Sequence, residues 1–210
     1  MAREAPWVGE TLDGLPCDQY ERDPGRAHNY NEATRGQGRL ELVERHHFTE
    51  EVRSLRPGSR HVPDLDYTIR WYPNHHPALY TMIRYATEEI YAERAEEEWS
   101  RTDRDGRAYT PPECMLQRAI NYAPEDHRVR VLAGLFFHRL DHFEEARAHY
   151  DEAVSLAPES AEAHYNLGLL LTDMERYEEA REHARAAYRL GYPLDGLRNR
   201  LARAGHSLED

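Results

Sequence analysis

Residues 163–188 read AHYNLGLLLTDMERYEEAREHARAAY, with Gly168, Ala180, Ala184 and Ala187 at helical intervals. Small side chains at that spacing belong where two antiparallel helices approach backbone to backbone, because bulk at the crossing would clash. The pattern recurs one unit earlier. Setting 127–160 over 161–193 without a gap brings Ala133-Gly134 onto Leu167-Gly168, Phe143 onto Tyr177, and EEAR at 144–147 onto EEAR at 178–181. His149, Ala153 and Leu156 then fall on His183, Ala187 and Leu190, a period of 34 residues. Each unit holds two helical patterns split by a polar turn, RLDH or DMER, and closes at Pro158 or Pro193, where a helix must stop. Leu135, Tyr150, Leu167 and Tyr177 are the large residues expected to fill the space between the helices.

Composition narrows the chemistry. A chain of 210 residues, 40% hydrophobic and 31% charged, can bury a core in one domain or one short repeat array. No apolar run approaches the roughly 18 residues needed to span a bilayer, so membrane insertion is not expected. The start, MAREAPWVGETLDG, lacks the basic and apolar regions of a signal peptide. The chain as written is therefore expected in the cytoplasm, or in the periplasm if an upstream signal has been removed or missed. A net charge of -12 disfavours nucleic acid and anionic lipid as partners. All 27 basic residues are arginine, which excludes Schiff-base chemistry and a lysine-dependent phosphate loop.

The repeat resembles the tetratricopeptide repeat family. In the last copy the family positions are His164, Leu167, Gly168, Leu171, Ala180, Ala184, Ala187 and Pro193; in the copy before it they are Arg130, Ala133, Gly134, Phe137, Ala146, Tyr150, Ala153 and Pro158. The first position, tryptophan in the family, is His or Arg here, and Pro193 comes one residue late. The front half, through HHFTEEVRSL, LDYTIRWYPNHHPALY and PPECMLQRAINYAPED, resembles a group of small uncharacterised bacterial proteins of this family, many of which carry export signals. The fold class this implies is all-α: a short helical solenoid of antiparallel helix pairs, with an N-terminal coil extension and a C-terminal capping helix.

The expected organisation follows the same reading. Residues 1–38, punctuated by Pro6, Gly9, Gly14, Pro16, Pro24, Gly25, Gly36 and Gly38, read as coil. Residues 39–75 give N-terminal helices or a degenerate repeat, with Thr49 a cap. Residues 76–126 form a degenerate repeat with an insertion near 95–110: one long helix from Pro77 to about Trp99, an exposed loop near Asp105-Gly106, then a second helix started by Thr110-Pro-Pro-Glu113 as a capping box. Repeats follow at 127–160 and 161–193. Residues 194–210 are a capping helix and tail, stopped at Gly205 with Leu197 and Leu201 facing inward.

Candidate chemistry is sparse. Cys17 and Cys114 allow one pairing, which would staple the coil to the array and close a loop worth about 4–5 kcal/mol in chain-entropy terms; two half-buried thiols are the alternative. Among 13 histidines the doublets His46-His47 and His75-His76 are weak metal candidates, since adjacent side chains diverge and only convergence of the two doublets would make a site. His138 and His142 have the spacing of a helical zinc pair but lack its glutamate, and DRDG at 103–106 lacks the bidentate acid of a calcium loop. No metal and no cofactor is expected. Nucleophile elbows, dinucleotide glycines and phosphate loops are absent, and the acidic runs lie on helical surfaces.

Expected function therefore follows from the architecture: a non-catalytic scaffold holding a protein or peptide segment on the concave face that the family builds from the first helix of each repeat. In family terms that face falls on Arg128, Val131, Leu135, His138 and Arg139, then on Glu162, Tyr165, Leu169, Thr172 and Asp173. Asn166 matches part of the family's carboxylate clamp, but the accompanying lysines are missing. A histidine-based metal or redox module and a self-associating structural subunit are the alternatives.

Overall fold

Asp126 and Ser160 begin the two repeats: the Asp126 carboxylate accepts from the Arg128 N–H at 3.2 Å, and the Ser160 hydroxyl from the Ala163 N–H at 3.3 Å. Each supplies a partner to an N–H group that a helix start leaves unpaired. A computed structural model describes residues 3–21, 26–33 and 38–208. Pro24, Gly25 and Gly36, read above as coil punctuation, lie outside those residues. The chain divides into two compact units, Met1–Pro124 and Glu125–Asp210.

The second unit contains α8 (His127–Arg139), α9 (Phe143–Leu156), α10 (Ala161–Asp173), α11 (Tyr177–Arg189) and α12 (Gly196–Arg203). Helices α8 with α9, and α10 with α11, form two pairs, and α10 packs on α8, α9 and α12. Asp141 and Glu175 occupy the same turn in the two copies and both take a positive φ, 59° and 57°. A left-handed residue there lets the chain leave one helix and reverse into the next. Ala146, Ala153, Ala180, Ala184 and Ala187 are all fully buried. A methyl group on Gly134 would meet the Tyr150 ring at 2.6 Å, and one on Gly168 would meet Leu197 Cδ2 at 2.5 Å. The small residues are where the packing surfaces touch, and Leu197 and Leu201 of α12 close the end of the same core.

The first unit carries α1 (Tyr30–Ala33), α2 (Gly38–His47), α3 (Glu50–Arg53), α4 (His61–Trp71), α5 (His76–Thr87), α6 (Ala92–Trp99) and α7 (Pro112–Tyr122). Three expectations change. Residues 1–38 are not plain coil: β1 (Arg3–Glu4) pairs antiparallel with β2 (Arg26–Ala27), and a 3-10 turn spans Cys17–Tyr20. The segment takes its form from α7. Gln117 accepts from the Glu10 N–H at 3.2 Å and donates to the Glu10 carbonyl at 2.6 Å, and Glu113 accepts from the Leu12 N–H at 3.2 Å. Buried Arg118 donates to the Ala5 carbonyl at 2.8 Å with its guanidinium over the Trp7 ring, and Cys17 is disulfide-bonded to Cys114 with Cα atoms 5.5 Å apart.

The long helix expected from Pro77 to Trp99 breaks at Glu88, which is extended (φ -83°, ψ 126°), before a 3-10 turn and α6. No proline or glycine marks the break; α6 turns so that Glu98 reaches the start of α4, accepting from the His61 and Val62 N–H groups at 2.9 and 3.0 Å. A carboxylate at a helix N-terminus meets both unpaired donors and the positive end of the helix dipole. Burial alone would push the Glu98 carboxyl up, but bonding from His61, Val62 and Tyr85 carries it down to about 2. Thr110 is not the cap of α7. The double proline shifts the cap position to Pro111, the Thr110 N–H donates to Asp66, and Glu113 serves the N-terminal segment instead. The insertion loop, bridged between Thr102 and Ala108, is exposed around Gly106.

Candidate partner-binding face

Successive first helices α8, α10 and α12 lie side by side, so residues spaced along each of them make one surface. Of the ten residues assigned to it from sequence, Arg128, Arg139, Glu162 and Asp173 are exposed, and Leu135, His138 and Leu169 are half-buried. Val131, Tyr165 and Thr172 belong to the interior instead. Val131 joins the core of the unit; Tyr165 stacks on Tyr192 with ring centroids 4.0 Å apart; and the Thr172 hydroxyl donates to the Gly168 carbonyl at 2.8 Å. The chain folds Tyr192 and α12 back over α10, which takes from this surface what an open repeat would expose.

Two apolar positions, Leu135 and Leu169, remain among charged neighbours. At one end of the row a cleft of about 410 Å³ is lined by His127, Arg128, Ala157, Glu159, Ser160, Ala161 and Glu162. At the other, three helices are joined through one carboxylate. His138 Nε2 lies 2.9 Å from Asp173 Oδ2, and Arg200 donates to both Asp173 oxygens at 2.9 and 2.7 Å. Arg200 escaped the sequence reading because the repeat alignment stopped at Pro193. Carried into α12, the same 34-residue register sets Arg200 on Asn166 and would have found it. Asn166 itself turns back to donate to the Glu162 carbonyl of its own helix at 2.9 Å.

The histidine doublets belong to the first unit. His46 is exposed. His47 Nδ1 lies 2.9 Å from Asp64, with its ring stacked on Tyr67. His75 is fully buried: Nδ1 accepts from the Ala78 N–H at 3.1 Å, capping α5, and Nε2 lies 3.2 Å from Glu44. His76 meets the Tyr30 ring edge-on. His46 and His47 thus end α2, and His75 reaches Glu44 of the same helix; no group of three or more metal-ligating side chains occurs among the described residues.

Residues 115–159 and 137–192 match the family model of the tetratricopeptide repeat. This chain carries tetratricopeptide repeats. The match runs from inside α7 to Tyr192, so α12 lies beyond the tetratricopeptide repeats it closes. One solved structure, "MamA RS-1 ArsTM double mutant", is similar at 20% identity over 76% of this chain and 79% of that one, with a TM-score of 0.48. No curated protein matches the chain. Tetratricopeptide repeats are in general non-catalytic modules for protein–protein interaction. Among the described residues no helix is long and apolar enough to cross a membrane.

Proposed function

We propose that this protein is a non-catalytic scaffold and that it holds a peptide or protein segment along α8, α10 and α12. The observation that supports it most is the pairing of Leu135 and Leu169, half-buried apolar positions one repeat apart, within the charged row of Arg128, Arg139, Glu162 and Asp173. Two apolar anchors in a polar rim suit an extended or helical segment: burying the anchors supplies affinity and the rim supplies register. Mixed charge on this face, against -12 for the whole chain, favours a partner with both signs over a polyanion.

Cross-linked capture from the native cell, comparing wild type with Leu135→Glu plus Leu169→Glu, tests the reading. Neither residue is fully buried, so circular dichroism of the variant should remain that of the wild type. A partner retained by wild type and lost by the variant is the expected result. An unchanged set of partners would move the working surface elsewhere.

A further inference from the structure

A cleft of about 470 Å³ in the first unit lies between His47 at the end of α2, residues 60–70 along α4, and the insertion loop at 103–105. Arg70 is set into it by a relay of buried partners. The Thr110 N–H donates to Asp66 Oδ1 at 3.3 Å, and Arg70 Nε lies 3.0 Å from Oδ2 of the same carboxylate. Asp66 and Thr110 are fully buried and Arg70 is half-buried, so this guanidinium is held in place from behind. Only its Nε is engaged: among the described residues its two terminal nitrogens meet no partner. The guanidinium groups of Arg60, at the start of α4, and Arg104, in the loop, line the same cleft and are likewise without a partner among the described residues.

The acids of the cleft, by contrast, are already engaged. Asp64 Oδ1 is 2.9 Å from His47 Nδ1, and Asp66 holds Arg70. Asp103 accepts from the Asp105 and Arg107 N–H groups at 2.9 Å each, and Asp105 pairs with Arg107 at 3.8 Å. What remains unmatched is therefore a set of donors, although four carboxylates border the space. Guanidinium forks match the two oxygens of a carboxylate. A volume of 470 Å³ falls in the roughly 300–1,000 Å³ range of small-molecule sites, which leaves room for an organic body beside one anionic group. That body has a wall to lie on: the Tyr67 ring lines the cleft and is braced by stacking on His47 with centroids 3.9 Å apart. The net charge of -12 gives such a molecule no long-range attraction, so recognition depends on contact inside the cleft.

We infer that this cleft binds a small organic molecule through a carboxylate, with Arg70 as the fixed donor, Arg60 and Arg104 completing the donor set, and the rest of the molecule against Tyr67. The site lies within Met1–Pro124 and does not rest on the partner-binding reading.

Benzoate, benzamide and inorganic phosphate, each titrated into the full chain and followed by NMR of the Tyr67 and His47 rings, test it. Benzoate should move those signals saturably. Benzamide, similar in shape but uncharged, should bind at least about tenfold more weakly, the scale of a hydrogen bond to a charged group. Arg60→Gln and Arg104→Gln, both at exposed positions, should each weaken benzoate by about tenfold and leave the circular dichroism unchanged. Arg70→Gln should abolish binding; because it also leaves buried Asp66 without its cation, the two exposed variants decide the matter if it fails to fold. No saturable shift, benzamide binding as tightly as benzoate, or wild-type affinity in either exposed variant would overturn the site. Phosphate binding as tightly as benzoate would overturn the carboxylate in favour of a plain phosphate site.

Discussion

A methyl group at Gly134 would lie 2.6 Å from Cδ1 and Cε1 of Tyr150 and 2.9 Å from its Cγ, deep in a rigid, fully buried ring. At Gly168 the clash is with Leu197 Cδ2, the tip of a side chain that can rotate. Alanine in a helix interior gains about 1 kcal/mol over glycine, and overpacking a core costs about 1–3 kcal/mol. The two substitutions should therefore separate: Gly134→Ala destabilising by about 2 kcal/mol and Gly168→Ala close to neutral, measured as urea midpoints at constant slope. Equal effects would mean that α12 is as unyielding as the Tyr150 ring. Both glycines were legible in the sequence as places of close approach, and Tyr150 as a large residue between the helices of its repeat; the group that approaches Gly168 was not, because Leu197 lies 29 residues beyond it and outside the repeat. Val131, Tyr165 and Thr172 were misjudged for the same reason: a helix face shows which residues point together, not which of them the next element will cover.

Among the elements, α6 is held to α4 by Glu98. Its carboxylate accepts from two helix-start N–H groups and from the Tyr85 hydroxyl at 3.0 Å, and Arg94 lies 3.3 Å away. Replacing it by glutamine keeps the shape and removes the charge, which should cost about 2 kcal/mol, the scale of a charged hydrogen bond. The sign of the pH effect follows from its depressed pKa, about 2 against an ordinary 4.5. The unfolded chain binds the proton first as pH falls, so the stability Glu98 supplies is complete above about 4.5 and is lost on the way down to about 2. Urea unfolding between pH 7 and 2 should show a shallower acid loss in Glu98→Gln than in wild type; parallel curves would remove Glu98 from the account. None of this was visible along the chain, since the partners lie 36 and 37 residues upstream and Glu98 reads as one more acid in a solvated run. The helices of the second unit were legible because their spacing, caps and turns are local and repeat.

At the scale of the molecule, Cys17–Cys114 closes a span of 97 residues within the first unit, while the second holds its own core from Val131 to Leu201. Reduction should therefore lower the stability of Met1–Pro124 by about 4–5 kcal/mol and leave Glu125–Asp210 unchanged. Hydrogen exchange with and without reductant reads this directly, and equal loss of protection in both units would contradict it. The last repeat also bears on how such an array changes in length. Tyr150 and Ala163 of one core are matched, one 34-residue step later, by Ala184 and Leu197: large and small exchange places. A tandem duplication of residues 161–194 would bring a second Ala163 to the position that Leu197 now fills, setting small against small and opening a void beside Gly168. Copying the final unit would therefore weaken the array at the new joint, because neither Ala184 nor the second Ala163 fills the space that Leu197 fills now.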